Sequence, residues 1–340
     1  TIQQAITQQL VPIYEPLFAD GSFGYRPGRS AKDAIQKVKE YAEQGYTYAV
    51  SLDLSKYFDT LNHEILLNLL RKNVKDERVV QLIKRYLKSG VMENGVVMET
   101  EEGSPQGGNL SPLLANIYLN EFDQEFLKRG VPCVRYADDI VLLAKSGRAS
   151  ERLLESSTKY LEKRLKLTVN REKSRTVSVF AIRNFKYLGF ALGRNGTGIY
   201  VRVHPKSWRK FKSRLKELSS RKRCQSIKPS LEKIKIYARG WLNYYGIASM
   251  KNNIEEINGW LYHRIRMCIW KQWKKPRTKY KNLVKLGIPE HYASTIANSR
   301  RKYWYISNNK AVIWALNKER LINSGFYDLA TAYQSVHVNY

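Results

Sequence analysis

The sequence predicts an α+β domain with an antiparallel sheet, followed by an all-helical region. Three observations predict it: strand-like runs at 46–54 and 133–144, helix patterns between these runs, and a turn-rich "GRNGTG" between two further strand-like runs. From Pro205 onward the strand patterns stop and long amphipathic helices follow. The predicted sheet therefore lies in the first part of the chain.

The charge of the chain changes at the same place as its secondary structure. The 340 residues carry 59 Lys and Arg against 30 Asp and Glu, a net charge of +29. Residues 1–200 hold 29 basic and 23 acidic side chains, whereas residues 201–340 hold 30 and 7. So large a basic excess predicts a polyanionic partner, nucleic acid in particular, for the second part. We predict three parts: 1–203, a helical region at 204–283 and a basic extension at 284–340.

Cysteine usage and hydropathy argue against several classes of protein. Cys133, Cys224 and Cys268 are widely spaced and form no C-x-x-C pair, so the sequence predicts no zinc site and fits a reducing cytosol. No stretch has the length and apolar purity of a membrane span. The chain opens on Thr1 within an amphipathic helix pattern, so we expect it to be the later part of a longer polypeptide.

The first elements are predicted from caps and periodicity. A helix at 1–18 ends near Pro16, and a turn rich in Gly and Pro follows. The next helix starts near Ser30, and 46–54 is rich in β-branched and aromatic residues, as strands are. Asn62 is the expected N-cap of the helix after this strand.

A glycine loop, a hairpin and another helix come next. Ser111 is the expected N-cap of a helix that has Pro112 at its first position. The alternation around "YADD" predicts a hairpin, and 149–166 predicts a helix. The segment "LTVNREKS" at 167–174 predicts a strand, and a hairpin around "GRNGTG" completes this part.

Three carboxylates occupy ends and bends of the predicted strands. Asp53 ends one strand, and Asp138 with Asp139 lies at the bend of the "YADD" hairpin. If the strands are neighbours in one sheet, the three carboxylates share one surface and repel each other unless cations bind. Magnesium prefers such oxygen ligands, and two ions about 3.5–4 Å apart would serve a phosphoryl transfer. The alternative is that these are turn residues, where Asp is common.

The motifs resemble, in their order, those of the reverse-transcriptase palm. They are "SLDLSKYFDTLNH", "GSPQGGNLSPLLANIYLNEFD", "VRYADDIVLL", "LKLTVNREKS" and "FKYLGF". The later "ARGWLNYYG" and "RMCIWKQWK" are similar to the maturase-specific thumb of bacterial group II intron-encoded proteins. The resemblance covers essentially the whole chain. It implies a right-hand polymerase palm, an antiparallel sheet with helices, followed by an α-helical thumb/maturase domain.

The resemblance implies roles for the acidic motif residues. Asp53 and Asp138 would hold two Mg²⁺ ions with the carbonyl of Leu54, and Asp139 would complete the acidic pair. Phe58, five residues after Asp53, would clash with a 2′-hydroxyl and so favour dNTP over NTP. Simple core packing is the alternative role for Phe58.

Further motif residues are implied to contact the nucleotide and the primer. Gln106 would contact the nucleotide and the templating pair, and Lys173 would approach the departing pyrophosphate as a general acid. Lys173 is otherwise a solvated lysine. Tyr187, Leu188 and Gly189 match the hairpin that positions the primer end, although Tyr187 could equally belong to the core.

Basic residues in two regions are predicted to bind nucleic acid. Arg26 and Arg29 match a block near the template contacts, with pairing to a carboxylate as the alternative. The helical region interleaves cations with aromatic residues, of which Trp241, Tyr244 and Tyr245 have the spacing of a packing stripe. The predicted contacts in this region are Lys210, Lys212, Arg239, Arg264, Arg266 and Lys274.

The resemblance implies an RNA-directed DNA polymerase that is also the splicing maturase of a group II intron. Its partners would be group II intron RNA, an RNA template with a DNA primer, dNTPs and target DNA, in the bacterial cytoplasm. The five histidines are scattered, so no H-N-H endonuclease domain is predicted.

Two alternatives to this function are open from the sequence. The resemblance implies a fingers region before "IQQA", and the given sequence starts after it. The resemblance therefore predicts that this chain polymerises poorly, and an RNA-binding splicing factor with a weak or inactive polymerase site is one alternative. The other is a host-adopted or defence-linked reverse transcriptase outside any intron.

Overall fold

Two compact units make up the chain, Thr1–Val201 and Arg202–Tyr340. The computed structural model describes residues 2–89, 91–93, 96–98, 102–105, 108–222 and 226–338, with side chains described outside 91–98. The division lies close to the change of charge in the sequence, while a separate role for 284–340 stays a prediction.

The first unit combines a sheet with helices, as its sequence predicts. The strands, the last of which runs two residues into the second unit, are β1 (Tyr48–Leu52), β2 (Val91–Glu93), β3 (Val96–Met98), β4 (Cys133–Tyr136), β5 (Asp139–Ala144), β6 (Arg175–Ser178), β7 (Phe190–Asn195) and β8 (Gly198–Val203). The helices of the first unit are α1 (Ile2–Tyr14), α2 (Ala31–Glu43), α3 (His63–Asn73), α4 (Glu77–Lys88), α5 (Ser111–Lys128) and α6 (Gly147–Lys163).

The central sheet has the strand order β4-β5-β1-β6, and every neighbouring pair is antiparallel. In the β1–β5 register Val50 lies opposite Leu142 and Leu52 opposite Ile140. Since side chains alternate along a strand, these four point to one face. They are buried in a core cluster that also contains residues of α1, α3 and α5. Two hairpins, β2–β3 and β7–β8, complete the strands.

The helix starts predicted at Ser30 and Asn62 are confirmed by their caps. The Ser30 side chain accepts a hydrogen bond from the Asp33 amide, and the Asp33 side chain accepts one from the Ser30 amide at 2.8 Å. The Asn62 amide oxygen accepts from the Ile65 amide at 3.0 Å. Caps of this kind stabilise a helix by about 1 kcal/mol each.

Two predicted details are wrong. Ser111 is the first residue of α5 rather than its N-cap, which is Leu110, and its hydroxyl donates to the Pro105 carbonyl instead. The segment at 167–174 forms one bridge, between Val169 and Leu54, and a turn at 171–173, and the strand begins only at Arg175. Val169 is buried by passing the end of β1 instead of pairing along it.

The second unit is helical, as predicted. Its helices are α7 (Pro205–Leu218), α8 (Ile227–Tyr245), α9 (Lys251–Gln272), α10 (Pro276–Lys285), α11 (Glu290–Ala297), α12 (Tyr303–Ile306), α13 (Lys310–Ala315), α14 (Lys318–Asn323) and α15 (Leu329–His337). The Trp241 ring stacks on Phe211 with centroids 4.0 Å apart and lies 4.6 Å from the Tyr245 ring. Trp241 and Tyr245 therefore pack as the stripe predicts, while Tyr244 is exposed.

A buried carboxylate ties α9 to α15 within this unit. Asp328 Oδ2 accepts hydrogen bonds from Asn258 at 2.9 Å and Tyr262 at 2.8 Å, and lies 3.2 Å from the Lys318 ammonium. Its Oδ1 accepts from the Thr331 amide and hydroxyl. Burial alone would raise the pKa of Asp328, but the bonds from Asn258, Thr331 and Tyr262 outweigh it and lower the pKa well below its ordinary value.

Among the described residues, no helix combines the length and the apolar composition that crossing a bilayer requires.

Candidate active site

The three predicted carboxylates meet at one end of the central sheet. Strands β1 and β5 are neighbours with Leu52 opposite Ile140, so Asp53 follows β1 where β5 begins. Asp139 is the first residue of β5, and Asp138 precedes it in the two-residue turn after β4. The condition for a shared acidic surface, neighbouring strands in one sheet, is met.

The electrostatics of Asp139 report on this proximity. Part of its side chain reaches solvent, but the surrounding protein removes water from the carboxylate, and this desolvation raises its pKa. The negative charges of Asp138 and Asp53 raise the pKa further, whereas the Lys186 ammonium lowers it. The carboxylates of Asp53 and Asp138 therefore lie close enough to act on Asp139.

The oxygen atoms at this site fit a divalent cation. In the described part of the chain, no group of three His, Cys, Asp or Glu side chains is arranged to bind a metal ion by itself. Magnesium, however, is usually held by one or two carboxylates together with substrate phosphates and water. Asp53 and Asp138 supply such carboxylates, and their repulsion of Asp139 is what a cation would relieve.

The backbone around Asp53 is fixed by the chain segment before β6. The Asn170 amide donates to the Asp53 carbonyl at 2.8 Å, and the Ser55 amide donates to the Thr168 carbonyl at 2.9 Å. Neither bond uses the carbonyl of Leu54, the predicted backbone ligand. The Asp53 amide donates to the Ser174 hydroxyl at 3.0 Å. Three hydrogen bonds to this one segment therefore hold the strand end that carries the carboxylate.

Lys173 lies beside the acidic cluster. Its ammonium is 3.5 Å from Asp53 Oδ1, and two thirds of its side chain is exposed. This position agrees with a cation near the site, and equally with a solvated lysine that pairs with Asp53. The general-acid role stays a prediction.

A cavity of about 670 Å³ opens in the first unit and is lined by Phe58. Phe58 is half-buried, and its ring centroid lies 5.3 Å from that of Tyr57. Tyr25, Asn109 and Pro112 also line the cavity. Phe58 packs on the core and also lines open space, so its position agrees with either role, and its part in sugar selection stays a prediction.

The glycine loop before α5 is described only in part. Gln106, the predicted nucleotide contact, and Gly107 lie outside the described residues. Gly108 lines the cavity, and a Cβ there would lie 2.0 Å from the Tyr86 hydroxyl oxygen. A larger residue at this position would therefore require the Tyr86 side chain to move.

The residues predicted to position the primer form a tight turn. Leu188 and Gly189 have φ values of 50° and 84°, and Tyr187 and Phe190 exchange backbone hydrogen bonds across them. Positive φ at both central residues is typical of two-residue hairpin turns. Tyr187 is buried, and within the described residues its hydroxyl has no hydrogen-bond partner. Burial raises the pKa of Tyr187, and the charge of Asp139 adds to it.

Comparison with known families matches both units. Residues 1–192 match the family described as reverse transcriptase (RNA-dependent DNA polymerase), and residues 208–287 match the group II intron maturase-specific domain. The chain belongs to the reverse transcriptase family. The second match is to a domain of group II intron proteins, and the two matches together confirm the resemblance, the palm and the helical maturase region. Reverse transcriptases use divalent cations, in agreement with the oxygen ligands here.

Relatives of this chain include two bacterial proteins. Protein YkfC of Escherichia coli (strain K12) is 34% identical over 231 residues, 57% of this chain and 60% of its own length. Group II intron-encoded protein LtrA of Lactococcus lactis subsp. cremoris is 37% identical over 177 residues, 52% of this chain and 28% of its own length. The match thus spans less than two thirds of either relative. The solved structure of apo telomerase from Candida tropicalis has a TM-score of 0.49 at 12% identity, covering 95% of this chain and 58% of that chain.

The two arginines near the predicted template contacts are used within the reverse transcriptase domain. Arg26 is buried, pairs with Glu15 at 2.7 Å and donates to the Ala19 and Ser22 carbonyls. Arg29 donates to the Asp20 carbonyl at 2.6 Å and pairs with the Asp20 carboxylate at 3.3 Å. For Arg26 this placement supports the alternative of pairing with a carboxylate and not a template contact.

The basic residues predicted in the maturase-specific region fall into two groups. Arg266 is buried and donates to the Ser307 carbonyl, and Arg264 donates to the Ser219 hydroxyl and carbonyl. Desolvation lowers the pKa of both guanidinium groups. Arg266 is therefore not free to bind phosphate in this arrangement, whereas part of the Arg264 side chain still reaches solvent. The exposed group consists of Lys210, Lys212, Arg239 and Lys274.

Sequence reasoning missed two residues of the site region. Arg135, directly before the "YADD" turn, is fully buried and bonded to the carbonyl of Ala137. Tyr25 has a φ of 57° and a mostly exposed ring that lines the cavity with Phe58. Arg135 could have been found because it is a charged residue inside an apolar strand. For Tyr25 the sequence offers only its neighbouring Gly and Pro residues, which do not indicate a site.

Proposed function

We propose that this protein is an RNA-directed DNA polymerase that extends a DNA primer on an RNA template, and also the splicing maturase of a group II intron. One observation carries the polymerase proposal: the pairing of β1 with β5, which brings Asp53 to the end of the sheet that holds Asp138 and Asp139. Family membership over residues 1–192 supports it.

The chemistry follows from the acidic cluster. Two Mg²⁺ ions, when bound, would stabilise the attacking and leaving oxygens of an in-line phosphoryl transfer. Asp53, Asp138 and the carbonyl of Leu54 would hold them, and the carboxylate of Asp139 would add negative charge. Lys173 would donate a proton to the departing pyrophosphate, because its ammonium lies beside Asp53 where phosphates would arrive.

Nucleotide selection would depend on the cavity in front of Phe58. We propose that the Phe58 ring meets the 2′ position of the sugar, so that a hydroxyl there is rejected. Gln106 would contact the nucleotide from the glycine loop, and the turn at Leu188 and Gly189 would position the primer end. Tyr187 would support this turn from the core, since its side chain is buried.

The maturase proposal depends on the second unit. Its exposed cations, Lys210, Lys212, Arg239 and Lys274, suit the phosphates of a folded intron RNA, and phosphate contacts make such binding salt-dependent. The match to the maturase-specific domain at 208–287 supports this partner. The basic residues at 284–340 would add contacts to DNA or RNA. A bacterial cytoplasmic location is part of the same proposal.

Primer extension on an RNA template tests the polymerase proposal. The full chain is compared with Asp138→Ala in the presence of dNTPs and Mg²⁺, and Asp138→Ala should lose about 10³-fold in rate, because several kcal/mol of charge stabilisation disappear. Glu155→Ala, which removes an exposed carboxylate from α6, is the matched control and should retain the rate of the unchanged chain. Equal extension by the chain and by Asp138→Ala would reject the proposal.

Binding of group II intron RNA separates the polymerase from the alternative splicing factor. Asp138→Ala should bind the RNA as tightly as the unchanged chain. If neither protein extends the primer while both bind the RNA, the chain is an RNA-binding splicing factor with an inactive polymerase site.

A further inference from the structure

A fully buried arginine, Arg135, forms hydrogen bonds next to the "YADD" turn. Arg135 Nε and Nη2 bind the Asp123 carboxylate on α5, the shortest contact being 2.6 Å from Nη2 to Oδ2. Arg135 Nη1 donates to the Asn116 amide oxygen at 2.9 Å, and Nη2 donates to the Ser22 hydroxyl at 2.8 Å. The guanidinium therefore joins α5, the segment before α2 and its own strand.

The same guanidinium reaches the turn itself. Arg135 Nη1 donates to the carbonyl of Ala137 at 2.9 Å. Ala137 has a φ of 56°, a left-handed conformation that persists only when the surroundings impose it. Asp138 is the next residue, so the bond to Ala137 acts on the peptide group that carries the carboxylate.

The backbone of Arg135 adds a second attachment. Its amide donates to the Gly21 carbonyl, and its carbonyl accepts from the Phe23 amide, both at 2.8 Å. The Asn116 side chain donates to the Gly24 carbonyl at 2.7 Å. Gly24 lies so close to the turn that a Cβ there would be 2.2 Å from the Ala137 nitrogen. Residues 21–24 thus pack against the turn and the strand before it, while the Arg135 guanidinium bonds to the turn carbonyl.

We propose that Arg135 is a positioning residue that fixes Asp138 for metal binding opposite Asp53. The inference rests on the proposed function of the acidic cluster and adds a residue that touches neither metal nor nucleotide. Partners that orient a metal ligand typically govern metal affinity by 10–100-fold. A planar guanidinium suits this task because its donors are fixed in a fork, whereas a lysine ammonium is a single point charge.

Arg135→Lys tests the proposal. The lysine keeps a positive charge beside Asp123 but cannot donate hydrogen bonds to both the Asn116 side chain and the Ala137 carbonyl. Two quantities are measured: the Mg²⁺ concentration for half-maximal primer extension, and Mn²⁺ binding to the free protein by electron paramagnetic resonance. We expect both the Mg²⁺ requirement and the Mn²⁺ dissociation constant to rise at least about tenfold.

Tyr118→Phe is the control for a merely structural effect. It removes another buried hydrogen bond of α5, from the Tyr118 hydroxyl to the Leu165 carbonyl, without contact to the turn. Thermal unfolding measures the stability loss of both variants. An unchanged metal dependence in Arg135→Lys, or the same shift in Tyr118→Phe, would overturn the proposal.

A second variant covers the case in which Arg135→Lys does not fold. Asn116→Ala removes one of the two acceptors of Nη1 and the bond to Gly24, but leaves the bond to Ala137 and the ion pair with Asp123, and it should weaken Mn²⁺ binding by a smaller factor. An unchanged Mn²⁺ affinity in this variant would also overturn the proposal.

The Mn²⁺ measurement also separates the two proposals. If the unchanged chain extends no primer, the polymerase proposal fails. The comparison of the unchanged chain, Asp138→Ala and Arg135→Lys for Mn²⁺ binding still decides the role of Arg135.

Discussion

The two units of this protein use charge in opposite ways. In the first unit two buried arginines have fixed carboxylate partners, Arg135 with Asp123 and Arg26 with Glu15. In the second part of the chain 30 basic residues face only 7 acidic ones, and cations such as Lys210 and Arg239 are exposed. Fixed pairs hold atoms where chemistry needs them, while surplus cations supply affinity for phosphate with little geometric demand.

If this comparison is right, damage to each unit should affect a different property. Substitutions at the acidic cluster should abolish catalysis and leave RNA binding intact. Substitutions of exposed cations in the second unit should weaken RNA binding and its salt dependence.

The largest effect is expected from Asp53→Asn. Loss of this carboxylate removes a predicted metal ligand, so primer extension should fall by about 10³-fold or more. The affinity for intron RNA, measured by filter binding at fixed salt, should stay unchanged. A parallel loss of RNA affinity would break the comparison, because one residue would then serve both functions.

Asp328→Ala should destabilise the second unit. It leaves Asn258, Tyr262 and Lys318 without their buried acceptor, and removing one partner of such a network costs roughly 3 kcal/mol. Chemical denaturation followed by circular dichroism measures the free energy of unfolding. Glu319→Ala, an exposed acid on α14, should change it by less than about 0.5 kcal/mol.

The pH dependence of this stability has a definite sign. The folded-state pKa of Asp328 is lowered, so its contribution is complete above the unfolded-state pKa of about 4 and is lost as the pH falls toward the folded value. Asp328→Asn should therefore lose more stability relative to the unchanged chain at pH 7 than at pH 3. An equal difference at both pH values would contradict the assignment.

Phe58→Ala should relax the choice of sugar. Removal of the ring opens the cavity of about 670 Å³ further, and the dNTP-over-NTP preference should fall roughly 30-fold. Single-nucleotide incorporation with dGTP and GTP measures it as a ratio of kcat/KM values. Tyr25→Ala, on another wall of the same cavity, should raise KM for both nucleotides without changing the ratio. A changed ratio in Tyr25→Ala and not in Phe58→Ala would reverse the two roles.

The smallest effect is expected from three exposed cations together. Lys210→Gln, Lys212→Gln and Arg239→Gln should weaken RNA binding about tenfold at 0.1 M salt and reduce the slope of log K against log salt by about 2. The charge-preserving set Lys210→Arg, Lys212→Arg and Arg239→Lys is the control and should keep the slope. An unchanged slope in the glutamine set would place the RNA contact elsewhere.

The parts of the site that could be predicted from sequence depend on local patterns. The hairpin carrying Asp138 and Asp139 was predictable because alternation and a polar bend specify it within a dozen residues. Its pairing with the strand before Asp53 could be stated only as a condition, since register between distant strands depends on tertiary packing.

The parts that could not be predicted depend on partners far away in the chain. The sequence does not predict that Arg135 binds Asn116 and Ser22, or that Arg26 donates hydrogen bonds to backbone carbonyls. The prediction of a strand at 167–174 was wrong for a related reason. Its β-branched pattern is suitable, but the edge of β1 is already occupied by β6.

Gly21 and Gly24 carry a consequence for protein engineering. Any side chain at 24 would overlap the Ala137 nitrogen, and any side chain at 21 would lie 2.0 Å from the Cys133 carbonyl oxygen. A saturation library at either position should return glycine alone under selection for a folded enzyme. Attempts to stiffen this loop by replacing glycine with alanine will therefore fail, and rigidity has to be sought at neighbouring positions whose side chains already point outward.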